Sequence, residues 1–149
     1  MERTITLSID KAREFYLSGN RDLKALALSA FSEDELVVAG LPTSVEEFTE
    51  KYGCTGFLSA REIDEYEAHA MLRKLRDLYR GCDEDEYRKR LGGKYQYCIT
   101  KMYHGRKPSY QISDYHSFYS EFLSFTELSV AEKFLACFEG LIEKAGNLI

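Results

Sequence analysis

The chain contains no tryptophan, only two prolines and no long apolar segment among its 149 residues. Its uninterrupted apolar runs are a few residues long, as in 36–39, whereas a helix that crosses a bilayer needs roughly 20. We therefore expect no membrane contact. The start, Met1 to Thr4, lacks the basic region and apolar stretch of a signal peptide, which predicts a cytoplasmic location. An aromatic content of 13% argues against disorder.

Close cysteine pairs are also missing. The four cysteines are widely spaced and form no Cys-x-x-Cys motif, which favours reduced, buried thiols over a disulfide framework: Cys54, Cys82, Cys98 and Cys137. A zinc site would need Cys82, Cys98, His104 and His116 to converge, and their intervals lack the short ligand spacing of structural zinc sites. The sequence therefore predicts no metal site and no cofactor.

The common enzyme signatures are absent as well. The chain has no Walker or dinucleotide-binding glycine motif. Asp114, His116 and Ser117 are close in sequence, but in a strand His116 and Ser117 point to opposite faces, so a base cannot reach its nucleophile there. Most carboxylates gather where helices are predicted to begin, a position that the helix dipole explains. We predict no catalytic residue, which favours a non-enzymatic protein and leaves an enzyme as a third hypothesis.

What the chain does have is an uneven charge distribution. The formal net charge is −5, but residues 1–57, 58–110 and 111–149 carry −4, +3 and −4. Acidic average charge disfavours general nucleic-acid binding, although a local basic patch can still attract anions.

Helix signals dominate the first half. Ser8 or Asp10 is expected to cap a helix that ends at Leu17, and Asn20 to cap one that ends near Phe31. A hydroxyl followed three residues later by a glutamate, the capping-box pattern, occurs at Ser32, Ser44, Ser59 and Ser129. The box at Ser59 predicts a long central helix that runs to Arg80, and the box at Ser129 predicts a terminal helix.

A period-two pattern over 94–103 predicts a strand, followed after a turn by a return strand over 109–116 and a third strand over 121–125. Residues 82–93 turn from acidic to basic and could form either a short exposed helix or a solvated loop. The predicted fold is α+β: a helical N-terminal region, a long central helix and a small antiparallel three-stranded sheet against which a C-terminal helix packs. We expect a single domain over 1–149, comprising a helical hairpin and short helices over 1–57, the central helix over 58–81 and a β-β-β-α unit over 94–149.

Basic and tyrosine residues are interleaved in the middle third. Arginine binds phosphate through several donors and tyrosine stacks on bases, so this composition suits a nucleic acid or a nucleotide messenger. The alternative is an ordinary exposed helix face beside tyrosines that pack in a sheet. The candidate ligand-binding residues are Arg73, Arg76, Arg80, Arg88, Arg90, Lys94, Tyr95, Tyr97, Arg106 and Lys107.

A second group of residues is aromatic. Aromatic side chains are enriched in protein interfaces, and their density between 110 and 125 exceeds what three short strands need for a core. The alternative is that all of these rings pack between the sheet and the terminal helix. The candidate interface residues are Tyr110, Tyr115, Phe118 and Tyr119.

Three segments carry a family resemblance: the opening Ile5 to Phe31, the segment 72–79 (LRKLRDLY) and the ending 123–142. Together they resemble a group of small uncharacterised proteins encoded by phages and mobile elements of gut Bacteroidota. The group commonly has tryptophans near the positions of Phe15 and Val45, where this chain has none. The resemblance implies a phage-like context, in which small acidic proteins bind host or virion proteins in the host cytoplasm.

Two functions follow as hypotheses. The first is an accessory protein that binds another protein, such as a component of host defence or of the virion. The second is binding of a nucleic acid or nucleotide through the basic middle third.

Overall fold

The computed structural model describes residue 4 and residues 6–52, 64–116 and 121–146. For Tyr115 and His116 it describes the backbone alone. The chain divides into two compact units, Met1–Leu41 and Pro42–Ile149. The expectation of one domain stays a prediction. No helix among the described residues has the length and apolar character needed to span a membrane.

The first unit contains three helices, α1 (Ile9–Leu17), α2 (Arg21–Ala30) and α3 (Glu33–Val38). Each begins at a side-chain cap: the Ser8 hydroxyl accepts from the N–H of Lys11, the Asn20 amide oxygen accepts from two N–H groups, and Ser32 and Glu35 form a reciprocal box. These caps satisfy donors that a helix start would otherwise leave free.

The second unit contains α4 (Val45–Tyr52), α5 (Glu65–Arg80), α6 (Glu84–Leu91) and α7 (Leu128–Ala145), with strands β1 (Tyr95–His104), β2 (Lys107–His116) and β3 (Ser124–Phe125). The predicted α+β class is confirmed. Strand β1 lies in the middle of the antiparallel sheet, in the order β2-β1-β3. Gly105 and Arg106 form the two-residue turn between β1 and β2, and Gly105 supplies the positive φ of 73° that such a turn needs.

Helix α6 resolves the alternatives for residues 82–93. The Asp83 carboxylate accepts from the N–H of Glu86 at 2.9 Å, and Gly92 ends the helix in the left-handed conformation. The helix is not wholly exposed, because Tyr87 and Leu91 are buried. Two buried side chains fix this short helix against the rest of the unit.

Two predicted helix starts differ from the structure. Helix α5 begins at Glu65 with a capping box formed by Asp64 and Glu67, while the box expected at Ser59 lies outside the described residues. Helix α7 begins at Leu128, before Ser129, and its N-cap Glu127 makes no side-chain cap hydrogen bond. The prediction at Ser129 was therefore wrong, since the hydroxyl lies within the first turn and not before it.

The core of the second unit lies between α5, α7 and the sheet. Aromatic rings fill this core: Tyr79 meets Phe134 edge-to-face at 5.1 Å between ring centroids, and the centroid of Phe134 lies 5.1 Å from that of Phe125 in β3. The Tyr79 hydroxyl donates to the carbonyl of Pro42 at 2.9 Å. A polar group at the end of a buried ring is thereby satisfied. Helix α7 has a kink at Phe138, where the backbone φ of −126° lies outside the helical range.

Candidate functional site

Two of the arginines predicted to bind a ligand are buried on α5. The side chain of Arg76 is 5% exposed and that of Arg80 is 1% exposed. Arg80 donates to the carbonyl oxygens of Ser124 and Glu121 and to the Ser124 hydroxyl, at 2.8, 3.2 and 3.0 Å. Its guanidinium lies over the ring of Tyr87, with 3.6 Å from Cζ to the centroid. Burial lowers the pKa of Arg80, and a hydrogen bond to Glu84 opposes that shift.

Arg76 is held in the same way. It donates to Asp77 Oδ1 from Nε and Nη2, at 2.9 and 2.8 Å, and to the carbonyl of Phe122 from Nη1 at 3.2 Å. Its guanidinium also lies 5.1 Å from the centroid of the Phe122 ring. Both arginines therefore tie α5 to the segment 121–124, which leads into β3.

Glu84, at the start of α6, joins three of the predicted arginines. Its Oε2 lies 2.6 Å from Arg80 Nη1 and 3.2 Å from Arg76 Nη2, and its Oε1 lies 3.2 Å from Arg88 Nε. Arg90 pairs with Glu86 at 3.2 Å. We call the set Arg76, Arg80, Glu84 and Asp77 the arginine network. These contacts indicate a structural role for Arg76 and Arg80, since their donors are occupied within the chain.

A groove of about 540 Å³ lies above this network. It is lined by Phe122, three arginines and five carboxylates, so its net formal charge is −2. Arg73 lies exposed at this groove. The Phe122 ring stacks on His69 at 4.3 Å, and burial together with Arg73 and Arg76 lowers the pKa of His69. A negative net charge at the groove disfavours phosphate there.

The remaining predicted ligand residues lie on the β1–β2 hairpin or just before it. Lys94 and Tyr95 are exposed at the start of β1, whereas Tyr97 is half-buried and pairs with Phe125 of β3. Arg106 and Lys107 lie at the opposite end, about 27 Å away for eight residues of extended strand. The structure thus brings the arginines of α5 and α6 together around Glu84 and leaves the hairpin residues apart from them.

At that far end, which we call the hairpin tip (residues 102–107), the exposed side chains are apolar as well as basic. Met102 is 37% exposed and Tyr103 66% exposed, and His104, Arg106 and Lys107 are exposed too. The Nζ atom of Lys101 lies 5.3 Å from the centroid of the Tyr103 ring. The charge distribution along the sequence points to the hairpin tip when it is read over shorter segments. Residues 87–113 include seven Lys or Arg and no Asp or Glu, whereas net charges summed over thirds of the chain hide this run.

The predicted aromatic interface is only partly described. Tyr110 is half-buried, and burial raises the pKa of its phenol. Phe118 and Tyr119 and the side chain of Tyr115 lie outside the described residues. Phe122 and Phe125, which contribute to the same aromatic density, are held by internal contacts with Arg76 and Phe134.

No nucleophile or metal centre takes shape in the region of the chain that the structure describes. Cys82, Cys98 and Cys137 are free thiols, and burial raises the pKa of Cys98 to about 12. No group of three His, Cys, Asp or Glu side chains within residues 4, 6–52, 64–114 and 121–146 could hold a metal ion. Ser117 and the side chain of His116 lie outside the described residues, so that trio stays untested.

Comparisons of the chain with protein-family models, with curated proteins and with solved structures found no match.

Proposed function

We propose that this chain is a non-catalytic binding protein whose hairpin tip contacts an acidic surface on another protein. The observation that carries the proposal is the exposure, at the hairpin tip, of Met102 and Tyr103, one on each face of the sheet, together with Arg106 and Lys107 in a stretch that has no carboxylate. Tyrosine, methionine and arginine are the side chains enriched in the cores of protein interfaces.

The distribution of charge favours an acidic protein over a nucleic acid. Residues 94–113 carry four positive charges and no negative ones, so the rest of the chain carries a net −9. A compact partner that touches only the tip avoids most of that negative field, because surface charges are screened beyond about 10 Å. A long polyanion would extend past the acidic remainder and be repelled. In addition, Arg76 and Arg80 are already paired within the chain.

The resemblance to phage and mobile-element proteins suggests the class of partner. A protein of the host cytoplasm, such as a defence component, or a virion protein fits that context. An acidic surface on the partner would speed association with the basic tip and make it sensitive to salt.

The test is capture from a lysate of Bacteroidota cells with immobilised chain, compared between three forms. The double substitution Arg106→Glu with Lys107→Glu reverses the tip, and the double substitution Arg73→Glu with Lys74→Glu makes the same charge change on the exposed face of α5. We expect the wild type and the α5 variant to retain the same acidic protein, and the tip variant to retain at least tenfold less. Equal retention by all three forms, or repeated failure to retain a protein, would contradict the proposal.

The nucleic-acid alternative has its own measurement. Fluorescence anisotropy with single-stranded DNA, single-stranded RNA and cyclic nucleotides, at two salt concentrations, reports any phosphate contact because such binding weakens as salt rises. We expect no binding at low salt. Binding that is salt-dependent and lost in the tip variant would replace the acidic protein with a nucleic acid as the ligand of the same element.

A further inference from the structure

The outer edge of β2 offers main-chain hydrogen bonds that the sheet does not use. The N–H of Ile99 donates to the carbonyl of Leu123 at 2.9 Å, away from β2, and Ile99 lies directly opposite Ile112. In an antiparallel pair, residues that face each other without exchanging hydrogen bonds point their N–H and C=O groups outward. Ile112 therefore directs both groups away from β1, and Tyr110 and Asp114, two positions away, do the same.

This edge has little to discourage strand addition. Strand β2 is an outer strand of the described sheet and is ten residues long. Its only Lys, Arg, Asp or Glu residues are Lys107 and Asp114, so the segment between them carries no formal charge. Natural sheets protect an edge with central charges, proline or short strands. The only proline of this strand, Pro108, lies at the end near the tip.

We propose that a second copy of this chain adds to this edge, with the two β2 strands antiparallel about a two-fold axis at Ile112. Residues directly opposite each other share a sheet face. One row across the combined sheet is then Ile99, Ile112 and the same two residues of the second copy in reverse order. Four isoleucines in contact form an apolar centre that one chain alone cannot provide.

The neighbouring rows have complementary charge. With Ile112 on the axis, Tyr110 lies opposite Asp114 of the second copy, and Tyr110 already pairs with Lys101 in its own sheet. Each Tyr110 thus lies between Lys101 of its own copy and Asp114 of the second copy. These two charged residues are two strands apart, which is about 10 Å. The arrangement occurs twice by symmetry, and no like charges are cross-strand partners within the combined sheet.

Backbone hydrogen bonding is compatible with this register. Pairs centred on Ile112 use the outward groups of Tyr110, Ile112 and Asp114 for about six main-chain hydrogen bonds. Pro108, which has no N–H to donate, falls at the end of the paired segment, where its loss matters least. The basic tip stays outside the interface, so the self-association does not depend on the acidic partner proposed above.

The test measures the mass of the full chain by light scattering and sedimentation over a range of concentrations. We expect the wild type to reach twice the 17.2 kDa of one chain. Ile112→Pro removes an outward N–H that the pairing with β1 does not use, and we expect it to remain at the mass of one chain. Ile112→Val keeps both the N–H and the apolar contact, and we expect it to dimerise like the wild type.

A second variant tests the interface if the proline weakens the fold, as judged by circular dichroism. Asp114→Lys places a lysine near Lys101 of the second copy, and we expect the dimer dissociation constant to rise at least tenfold. Glu50→Lys makes the same charge change on α4, at an exposed position, and we expect no such rise. A wild type that stays at the mass of one chain, or a dimer that tolerates both Ile112→Pro and Asp114→Lys, would overturn the proposal.

Discussion

Arg80 is a residue whose type suggests a ligand and whose surroundings indicate a structural role. It is almost wholly buried, and it meets a carboxylate, two carbonyls, a hydroxyl and an aromatic ring at once. A buried charge is costly unless such partners surround it. The guanidinium suits this position because its planar fork can serve several acceptors in fixed directions.

We predict that Arg80→Ala lowers the free energy of unfolding by about 3 kcal/mol, since it leaves buried carbonyls and Glu84 short of donors. Arg80→Lys should recover only a fraction of this loss, because an ammonium cannot reach all the acceptors. Urea unfolding monitored by circular dichroism provides the measurement.

The control is Arg73→Ala, at an exposed position on the same helix, which we expect to change stability by less than about 0.5 kcal/mol. Similar effects of the Arg73 and Arg80 substitutions would show that the arginine network does not stabilise the fold.

At the scale of elements, the effect of a glycine on stability depends on whether it lies at the end of a helix or inside one. Gly81 ends α5 with φ of 72°, and the N–H groups that follow the helix return to carbonyls of its last turn. Gly140 lies inside α7, where an added Cβ would meet no atom within 4 Å. Glycine is therefore expected to stabilise the fold at position 81 and to destabilise it at position 140.

We predict that Gly81→Ala lowers the free energy of unfolding by about 1 kcal/mol, because alanine is strained at positive φ. Gly140→Ala should raise it by about 0.5 to 1 kcal/mol, because the unfolded chain loses freedom and nothing clashes. Thermal unfolding of both variants beside the wild type gives the two signs. Shifts in the same direction would contradict this explanation.

Much of the secondary structure could be predicted from the sequence. The caps at Ser8, Asn20 and Ser32 and the order of the three strands along the chain follow from local chemistry. The start of α7 could not be predicted in this way, because the helix begins at Leu128 although its N-cap Glu127 makes no side-chain cap hydrogen bond. The predicted third strand was too long, because residues 122 and 123 form a turn and the carbonyls of Phe122 and Glu121 accept hydrogen bonds from Arg76 and Arg80 instead of from a neighbouring strand.

The candidate site was harder to predict. An arginine every three or four residues looks the same on an exposed helix face and on one that meets a carboxylate from a later helix. The contacts of Glu84 with Arg76 and Arg80 show that α5 has the second kind of face. The position of Glu84 relative to α5 depends on the turn at Gly81. The hairpin tip could have been found from the acid-free run of residues 87–113, which shows where positive charge is not neutralised along the chain.

At the scale of the whole molecule, the burial of neutral thiol and phenol groups makes the free energy of unfolding depend on pH in the alkaline range. Burial raises the pKa of Cys98 to about 12 and also raises the pKa of Tyr87 and of Cys82. Above about pH 9 the unfolded thiol loses its proton while the folded one keeps it, so the unfolded state binds fewer protons and gains in relative stability.

We predict that the free energy of unfolding falls as pH rises above about 9, with a slope from Cys98 that approaches 1.4 kcal/mol per pH unit, roughly the value for one group. Chemical unfolding at a series of pH values measures this slope. Cys98→Ala should make the curve flatter above pH 9 and leave its shape between pH 7 and 8 unchanged. An unchanged slope in that variant would show that the thiol is not the group responsible.

The arginine network is also expected to affect the rate at which the chain unfolds. Its bonds from Arg76 and Arg80 reach carbonyls between 41 and 46 residues later in the chain, so a long loop must close before they form. Contacts of such separation generally form late in folding, and late contacts act mainly on the rate of unfolding. Two arginines that would have suited a ligand therefore serve to keep the folded chain from opening.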